Sequence, residues 1–383
     1  MFRIFTSAFI ISFLVGNLFK FSFISPDVKV SFLDLVVIIY SLLCIFKIQE
    51  LKVQINSKPY FFKALLYFAA YALIGLGFAY PRFGIIPISI GLLYWLRFVI
   101  YSGLIFTLPI YFNSKQLPIL LWLLGITVVF TSVVQYLVFP DIRSLQLLEW
   151  DPHYYRVVGS LLDPGFTGLI LIFFMIRILT HPLPNKIHQY IILTTTYIYF
   201  AFTYSRSSFI SLLFVSIFIS YTKKTWKPFL ITLFVLITTI ILLPRAPDGE
   251  GVKLERTSSI TARIQNWSNS ISIFLKFPVF GSGFNVYRYT QRQFGFNNSP
   301  KWLVSHSNAG ADSSLLFVAA TTGLIGLILY LNYLRSLFHL RAINYELIAI
   351  IVHSVFLNSL FYPYVLLWLA VSIASKNRNL PSE

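Results

Sequence analysis

The sequence predicts an all-α integral membrane protein with about twelve transmembrane helices and one large outer loop carrying an amphipathic helix. Three observations predict it. The residues are 57% hydrophobic and only 11% charged, against about 25% charged in soluble domains, which leaves too little polar surface to cover a soluble globule. Apolar runs of about twenty residues recur, the length at which a helix bonds its own backbone across hydrocarbon. Between the runs, Lys and Arg fall on alternate connections, the pattern of positive loops kept on one side of a membrane.

Taken in order, Arg3 and the run 4–24 open the chain. Lys20-Phe-Ser-Phe-Ile-Ser continues that run with no clear small-x-small cleavage site, so it reads as a first span rather than a signal peptide. Further spans are expected over 30–46, 60–80, 85–112, 117–139, 164–180, 187–204, 207–222, 228–244, 313–334, 342–360 and 361–375. The run 85–112 is long and contains Arg97, so it reads as tilted or broken, and Tyr362-Pro-Tyr364 reads as a kink or tight turn. Lys47, Lys52, Lys58, Lys115, Lys186, Lys223, Lys224, Lys227, Arg335, Arg341, Lys376 and Arg378 then share one face with Arg3. The positive-inside rule makes that face cytoplasmic, along with both termini. Outside lie 25–29, 81–84, 140–163, 205–206 and 245–312. The chain divides into 1–244, the loop 245–312, and 313–383.

The net charge of +17 does not point to nucleic acid, because the charges sit in short loops between apolar runs. Cys44, the single cysteine, lies in an apolar run and excludes an intrachain disulfide or a cysteine metal cluster.

The loop 245–312 carries eight Lys and Arg (Arg245, Lys253, Arg256, Arg263, Lys276, Arg288, Arg292, Lys301) against four acids (Asp248, Glu250, Glu255, Asp312). Outer loops have no topological need for positive charge, so this excess asks for an anionic ligand. Within the loop Ile260, Ile264, Trp267, Ile271 and Phe274 share one helical face, Ser258 or Ser259 offers an N-cap, and Pro278 with Gly281 ends the run.

Several chemistries lack their signatures: no phosphate loop, no His-Glu-x-x-His, no Gly-x-Ser-x-Gly and no Asp-x-Asp. The histidines show no metal spacing, so neither a metal nor a cofactor is expected. The outer arginines are more informative. Arg156 precedes Val-Val-Gly-Ser-Leu-Leu-Asp163-Pro-Gly165, Arg206 sits in Tyr204-Ser-Arg-Ser-Ser208, and Arg263 sits in the amphipathic helix. Arginine grips phosphate with a planar fork and stays charged where water is scarce. Each alone reads as readily as a surface or snorkelling residue. Arg97 is either an intramembrane functional charge or an interfacial one, and Asp34 reads as an interfacial or bundle-facing polar residue. His306 and Asp312, just before the span 313–334, are candidate general bases, though a lone loop His is commonly a surface residue.

The run Thr261-Ala-Arg-Ile-Gln-Asn-Trp, then Phe277-Pro-Val-Phe-Gly-Ser-Gly, then Asp312-Ser-Ser with Thr-Thr-Gly323-Leu-Ile-Gly326, resembles the O-antigen polymerase and O-antigen ligase superfamily. Arg156-x-x-Gly with Asp-Pro-Gly, and Tyr-Ser-Arg-Ser-Ser, do so as well. The resemblance covers roughly 150–330 in motifs and the whole chain in topology. It implies a GT-C-like fold in a bacterial inner membrane and a metal-independent glycosyl transfer at the periplasmic face. The implied donor is a glycan on undecaprenyl diphosphate. Arg206 and Arg263 match the two arginines tied to the leaving diphosphate; Arg156, Arg97, Arg288 and Arg292 are further candidates for substrate contact on charge and place. Membrane lipids and a chain-length regulator protein are the implied partners, with no nucleic acid. Ligases place a His-Asn or His-Ser pair about eleven residues before the Gly of Gly-x-x-Gly. Here Asp312 holds that position and His306-Ser lies seventeen residues before Gly323. That pattern looks more like a polymerase for O-antigen, capsule or exopolysaccharide. A ligase, or a transporter of lipid-linked sugar, are the alternatives.

Overall fold

The structure, a computed structural model, describes residues 1–23, 25–148, 150–246, 249–300, 302–303, 310–340 and 344–375. In chain order they form α1 (Phe2–Val15), the antiparallel strands β1 (Lys20–Phe23) and β2 (Ser25–Ser31), α2 (Phe32–Ile45), α3 (Ile48–Asn56), α4 (Pro59–Phe83), α5 (Ile85–Tyr111), α6 (Gln116–Val138), α7 (Pro164–Thr180), α8 (Lys186–Ala201), α9 (Arg206–Thr222) and α10 (Lys227–Leu242). The outer segment and the last part add α11 (Ser258–Lys276), α12 (Tyr287–Gln293), α13 (Ser314–His339), α14 (Tyr345–His353) and α15 (Pro363–Ala374).

Among the described residues four helices are long and apolar enough to cross a bilayer: α4, α5, α6 and α13. The pair α2 and α3, bent by 98°, makes a fifth if taken as one broken span. Helices α1, α7, α9, α10 and α15 are apolar but shorter, at 10–17 residues. A 14-residue helix such as α1 rises only about 21 Å, short of the roughly 30 Å hydrocarbon core. Most of the predicted runs therefore form helices, but fewer reach spanning length than their hydropathy implied.

Two predicted spans need correction. The run 4–24 is not one helix: α1 stops at Val15, Gly16 turns with φ of 55°, and the hairpin β1–β2 follows. The alternation Lys-Phe-Ser-Phe in β1 and Val-Lys-Val in β2 is a period-two pattern. The region 342–360 holds only the nine residues of α14 before a 3-10 turn at Ser359–Phe361. The run 85–112, read as tilted or broken, forms one unbroken helix of 27 residues, α5.

Helices α7 and α15 are central. Ile170, Leu171, Ile172, Phe173 and Phe174 are all fully buried, as are Val365, Leu367, Trp368, Val371 and Ile373; a helix apolar all round belongs inside. Helix α10 is peripheral, with only Leu236 buried.

Helix α13 is broken at Gly323, whose φ of 71° leaves the helical region. The break frees backbone groups that lipid cannot satisfy. The segment after α11 supplies partners: the N–H groups of Ser282 and Gly283 donate to the carbonyls of Ala320 and Thr321 at 3.0 Å each, and Leu324 N–H donates to Pro278 O at 2.7 Å. A Cβ on Gly323 would lie 2.0 Å from Val279 O, and one on Gly281 2.2 Å from the Thr321 carbonyl carbon. Phe-Pro-Val-Phe-Gly-Ser-Gly and Thr-Thr-Gly are thus two halves of one backbone joint. It docks the segment that carries α11 onto the bundle.

Candidate active site

Helix α9 begins at Arg206 because Tyr204 turns the chain with a φ of 49° and Ser205 caps the helix, accepting from Ser208 N–H. The Arg206 guanidinium crosses to the segment that leads into α11. It donates to the carbonyls of Leu254 at 3.2 Å and Arg256 at 2.9 Å, and to the Ser259 hydroxyl. Arg256 donates to the carbonyls of Gly251 at 2.7 Å and Lys253 at 2.9 Å.

Helix α11 starts from Thr257 with no side-chain cap bond, so neither Ser258 nor Ser259 caps it. Ser259, Arg263, Asn266 and Ser270 fall at i, i+4, i+7 and i+11, one helical face. This face meets the protein: Ser259 holds Arg206, and Ser270 bonds the Tyr287 hydroxyl at 2.6 Å. The isoleucine stripe occupies the adjoining face, with Ile260, Ile264 and Ile271 exposed. Arg263 sits at the boundary. Its guanidinium lies 6.0 Å from the Phe356 ring and ion-pairs with no carboxylate among the described residues.

One turn beyond Arg263, Asn266 Oδ1 accepts the Asp312 N–H at 2.9 Å. The same helix face therefore places both Arg263 and Asp312. Burial raises the Asp312 pKa to about 6; Arg263 pulls it down, while Asp151 and Asp163 push it further up. A carboxylate with that pKa is largely ionised at neutral pH yet basic enough to take a proton.

Arg156 is buried and donates to the carbonyls of Thr203 at 3.0 Å and Tyr204 at 3.4 Å, bracing the turn that launches Arg206. Burial and the neighbouring Arg256 press its pKa down, against Asp163 and Asp151. Asp163 caps α7, accepting from Gly165 N–H at 2.7 Å and Phe166 N–H at 2.9 Å. His153 is held neutral, its pKa lowered to about 3 by burial and by Arg156 and Arg256.

Arg97 makes a two-pronged pair with Asp34, at 2.8 Å and 2.6 Å, and Asp34 also accepts from Tyr101 at 2.9 Å and from the Ser31 backbone at 2.8 Å. Asp34 is thus the counter-ion that lets Arg97 sit in α5, a role the sequence reading did not assign. Arg288 donates to Trp302 O at 3.4 Å.

Arg206, Arg263, Asp312, Arg156, Arg97 and Arg288 all line one cavity of about 780 Å³. Eight cationic side chains face it against four carboxylates. Arg292 is not among the lining residues; it bonds Asn297 O at 3.0 Å and lies 5.8 Å from the Trp302 ring. His306 lies outside the described residues. The lining also includes Arg256, His153 and Asp163, together with Lys20, Asp27 and Lys29 of the hairpin. Sequence reasoning gave none of these a role. Lys20 was hidden by reading 4–24 as one span, Asp27 and Lys29 lay in the short outer loop 25–29 without a role, and Asp163 was visible in Asp-Pro-Gly.

Residues 190–331 match the family model described as O-antigen ligase. The matched stretch contains Arg206, Arg256, Arg263, Arg288 and Asp312. Among curated proteins no sequence matches the chain.

Proposed function

We propose that this member of the O-antigen polymerase and ligase superfamily is a polymerase. It joins oligosaccharide repeats carried on a lipid diphosphate, at the outer face of a bacterial cytoplasmic membrane. The observation that carries the reading is that Arg206, Arg263 and Asp312 line a single cavity richer in cations than in carboxylates.

The chemistry follows from the charges. A hydroxyl oxygen of the acceptor sugar bonds to the anomeric carbon of the donor. The bond from that carbon to the diphosphate oxygen breaks, and its electron pair leaves with the diphosphate. The hydroxyl proton passes to the Asp312 carboxylate. Negative charge grows on the leaving oxygen, where Arg263 and Arg206 stabilise it. Arg206 comes to the reaction preorganised, its guanidinium held on two carbonyls and a hydroxyl. Fixed donors of this kind lose little to reorganisation. In this reading the arginines replace a metal as the counter-charge, so activity should survive a chelator such as EDTA.

Arg263→Ala and Arg206→Ala are each expected to cut chain extension by about 100-fold or more with normal protein abundance. Polymer of wild-type length in either variant would sink the assignment.

The ligase reading has one observation in its favour, the description of the matched family. It predicts that a deletion strain still makes long polymer on its lipid carrier. The polymerase reading predicts single repeats. Asp312, at the position where ligases of the superfamily carry His, favours the polymerase. The family match gives transport no support.

A further inference from the structure

We propose that the hairpin corner of the cavity, formed by Asp27, Tyr94 and Tyr289, is the subsite that binds the acceptor sugar by its hydroxyls. This rests on the transfer reaction proposed above and names where its second substrate sits. The polar lining of the cavity falls into two groups. Arg206, Arg256, Arg263 and Asp312 surround the start of α11 and α13. The other group lies elsewhere: Arg288 has Tyr94, Asp27 and Tyr289 as its electrostatic neighbours, whereas Arg206 has Arg263. A cavity of about 780 Å³ also exceeds what a diphosphate fills, within the several hundred Å³ common for sites that hold larger ligands.

Asp27 is the centre of the second group. Only 6% exposed, it ion-pairs with no Lys or Arg among the described residues. Instead it is held by hydroxyls. One carboxylate oxygen accepts from Tyr289 at 2.6 Å, the other from Ser25, and its backbone carbonyl accepts from Tyr94 at 3.4 Å. An ionised carboxylate has about four acceptor positions, so positions remain on both oxygens. A carboxylate held by tyrosine and serine hydroxyls, with no Lys or Arg in ion-pair contact though Arg288 is an electrostatic neighbour, suits neighbouring hydroxyls of a sugar ring. The two groups thus divide the substrates: the arginines around the start of α11 take the leaving lipid diphosphate, and the hydroxyl-bonded Asp27 carboxylate takes the attacking sugar.

The test uses the full-length protein in lipid nanodiscs and two probes. One is the repeat oligosaccharide released from the host's own surface polysaccharide, free of lipid and phosphate; the other is farnesyl diphosphate. Asp27→Asn and Tyr289→Phe should each weaken oligosaccharide binding at least tenfold and leave farnesyl diphosphate within about twofold. Arg263→Ala should do the reverse. Oligosaccharide binding of wild-type strength in Asp27→Asn and Tyr289→Phe overturns the subsite. So does equal loss of both probes, or a wild-type protein that binds no oligosaccharide. Undiminished farnesyl diphosphate binding in Arg263→Ala overturns the function reading and leaves the oligosaccharide arm to decide the subsite. Should Asp27→Asn not accumulate, Tyr289→Phe and Tyr94→Phe carry the same expectations, since each removes one hydroxyl.

Discussion

Asp312 carries two linked consequences at the scale of the single residue. Its folded pKa of about 6 stands above the ordinary value of 3.8, first because of burial. If Asp312 takes the acceptor proton, the transfer rate needs its ionised form, so the rate should fall as pH drops through about 6. Arg263 lowers that pKa, so in Arg263→Gln the acid limb of the residual activity should move to higher pH. A pH–rate profile of wild type and variant checks both, and an unmoved limb removes Asp312 from the role. Stability has the opposite sign. A raised folded pKa means the folded state resists losing the proton; the stability is fully present below about 3.8 and is lost as pH rises through 6. Asp312→Asn keeps the shape and stays neutral. It should therefore melt higher than wild type at pH 7.5, with the gap closing towards pH 4, while its activity is lost. Equal melting temperatures at both pH values would contradict the burial argument.

Asp312 and Arg263 were legible as candidates because each sits in a run that resembles a family motif. Their juxtaposition was not. It depends on Asn266, one turn past Arg263, bonding the Asp312 backbone across a sequence separation of 46 residues. Nothing in local periodicity announces such a bond.

The pairing of Asp34 with Arg97 and the joint at Gly323 belong to the scale of elements. Asp34 lies at the start of α2 and Arg97 within α5, and their two-pronged bond ties these helices together. Removing one member of a buried pair leaves an uncompensated charge and costs about 3–5 kcal/mol, whereas removing both can be nearly neutral. Asp34→Asn should therefore destabilise the protein strongly. The double variant with Arg97→Met should recover much of the loss, as measured by melting in detergent. A double variant as unstable as Asp34→Asn alone would return Arg97 to a direct substrate role. At the joint, Gly323→Ala meets Val279 O at 2.0 Å and a φ of 71°. Strain of this kind is on the order of 1–3 kcal/mol before any clash is counted, so lower protein abundance and loss of polymer are expected together. The helices themselves were easy to read because hydropathy marks them. The break in α13 was not, because Thr-Thr-Gly-Leu-Ile-Gly is apolar enough to pass for continuous helix. The hairpin was missed for a related reason: Phe21 and Phe23 raise the hydropathy of a strand as they would of a span.

Orientation is a property of the whole molecule, and the positive charges in alternate loops carry it. Which loops share a side depends on which of the shorter helices cross, so the predicted orientation is a matter for measurement. The segment 245–312 is not a loose loop. It is docked by the joint at Gly323 and pinned by Arg206, so the cavity it lines is held against the bundle. Cysteine labelling tests this directly. The native Cys44 is buried, which keeps the background low. Ser114 and Asn298 are both exposed and lie in segments assigned to opposite sides. In spheroplasts, a membrane-impermeant maleimide should label Asn298→Cys at once and Ser114→Cys only after lysis. The reverse order would invert the molecule and place the arginine cavity in the cytoplasm. There a donor on the outer leaflet could not reach it, and the polymerase reading would fall with the topology.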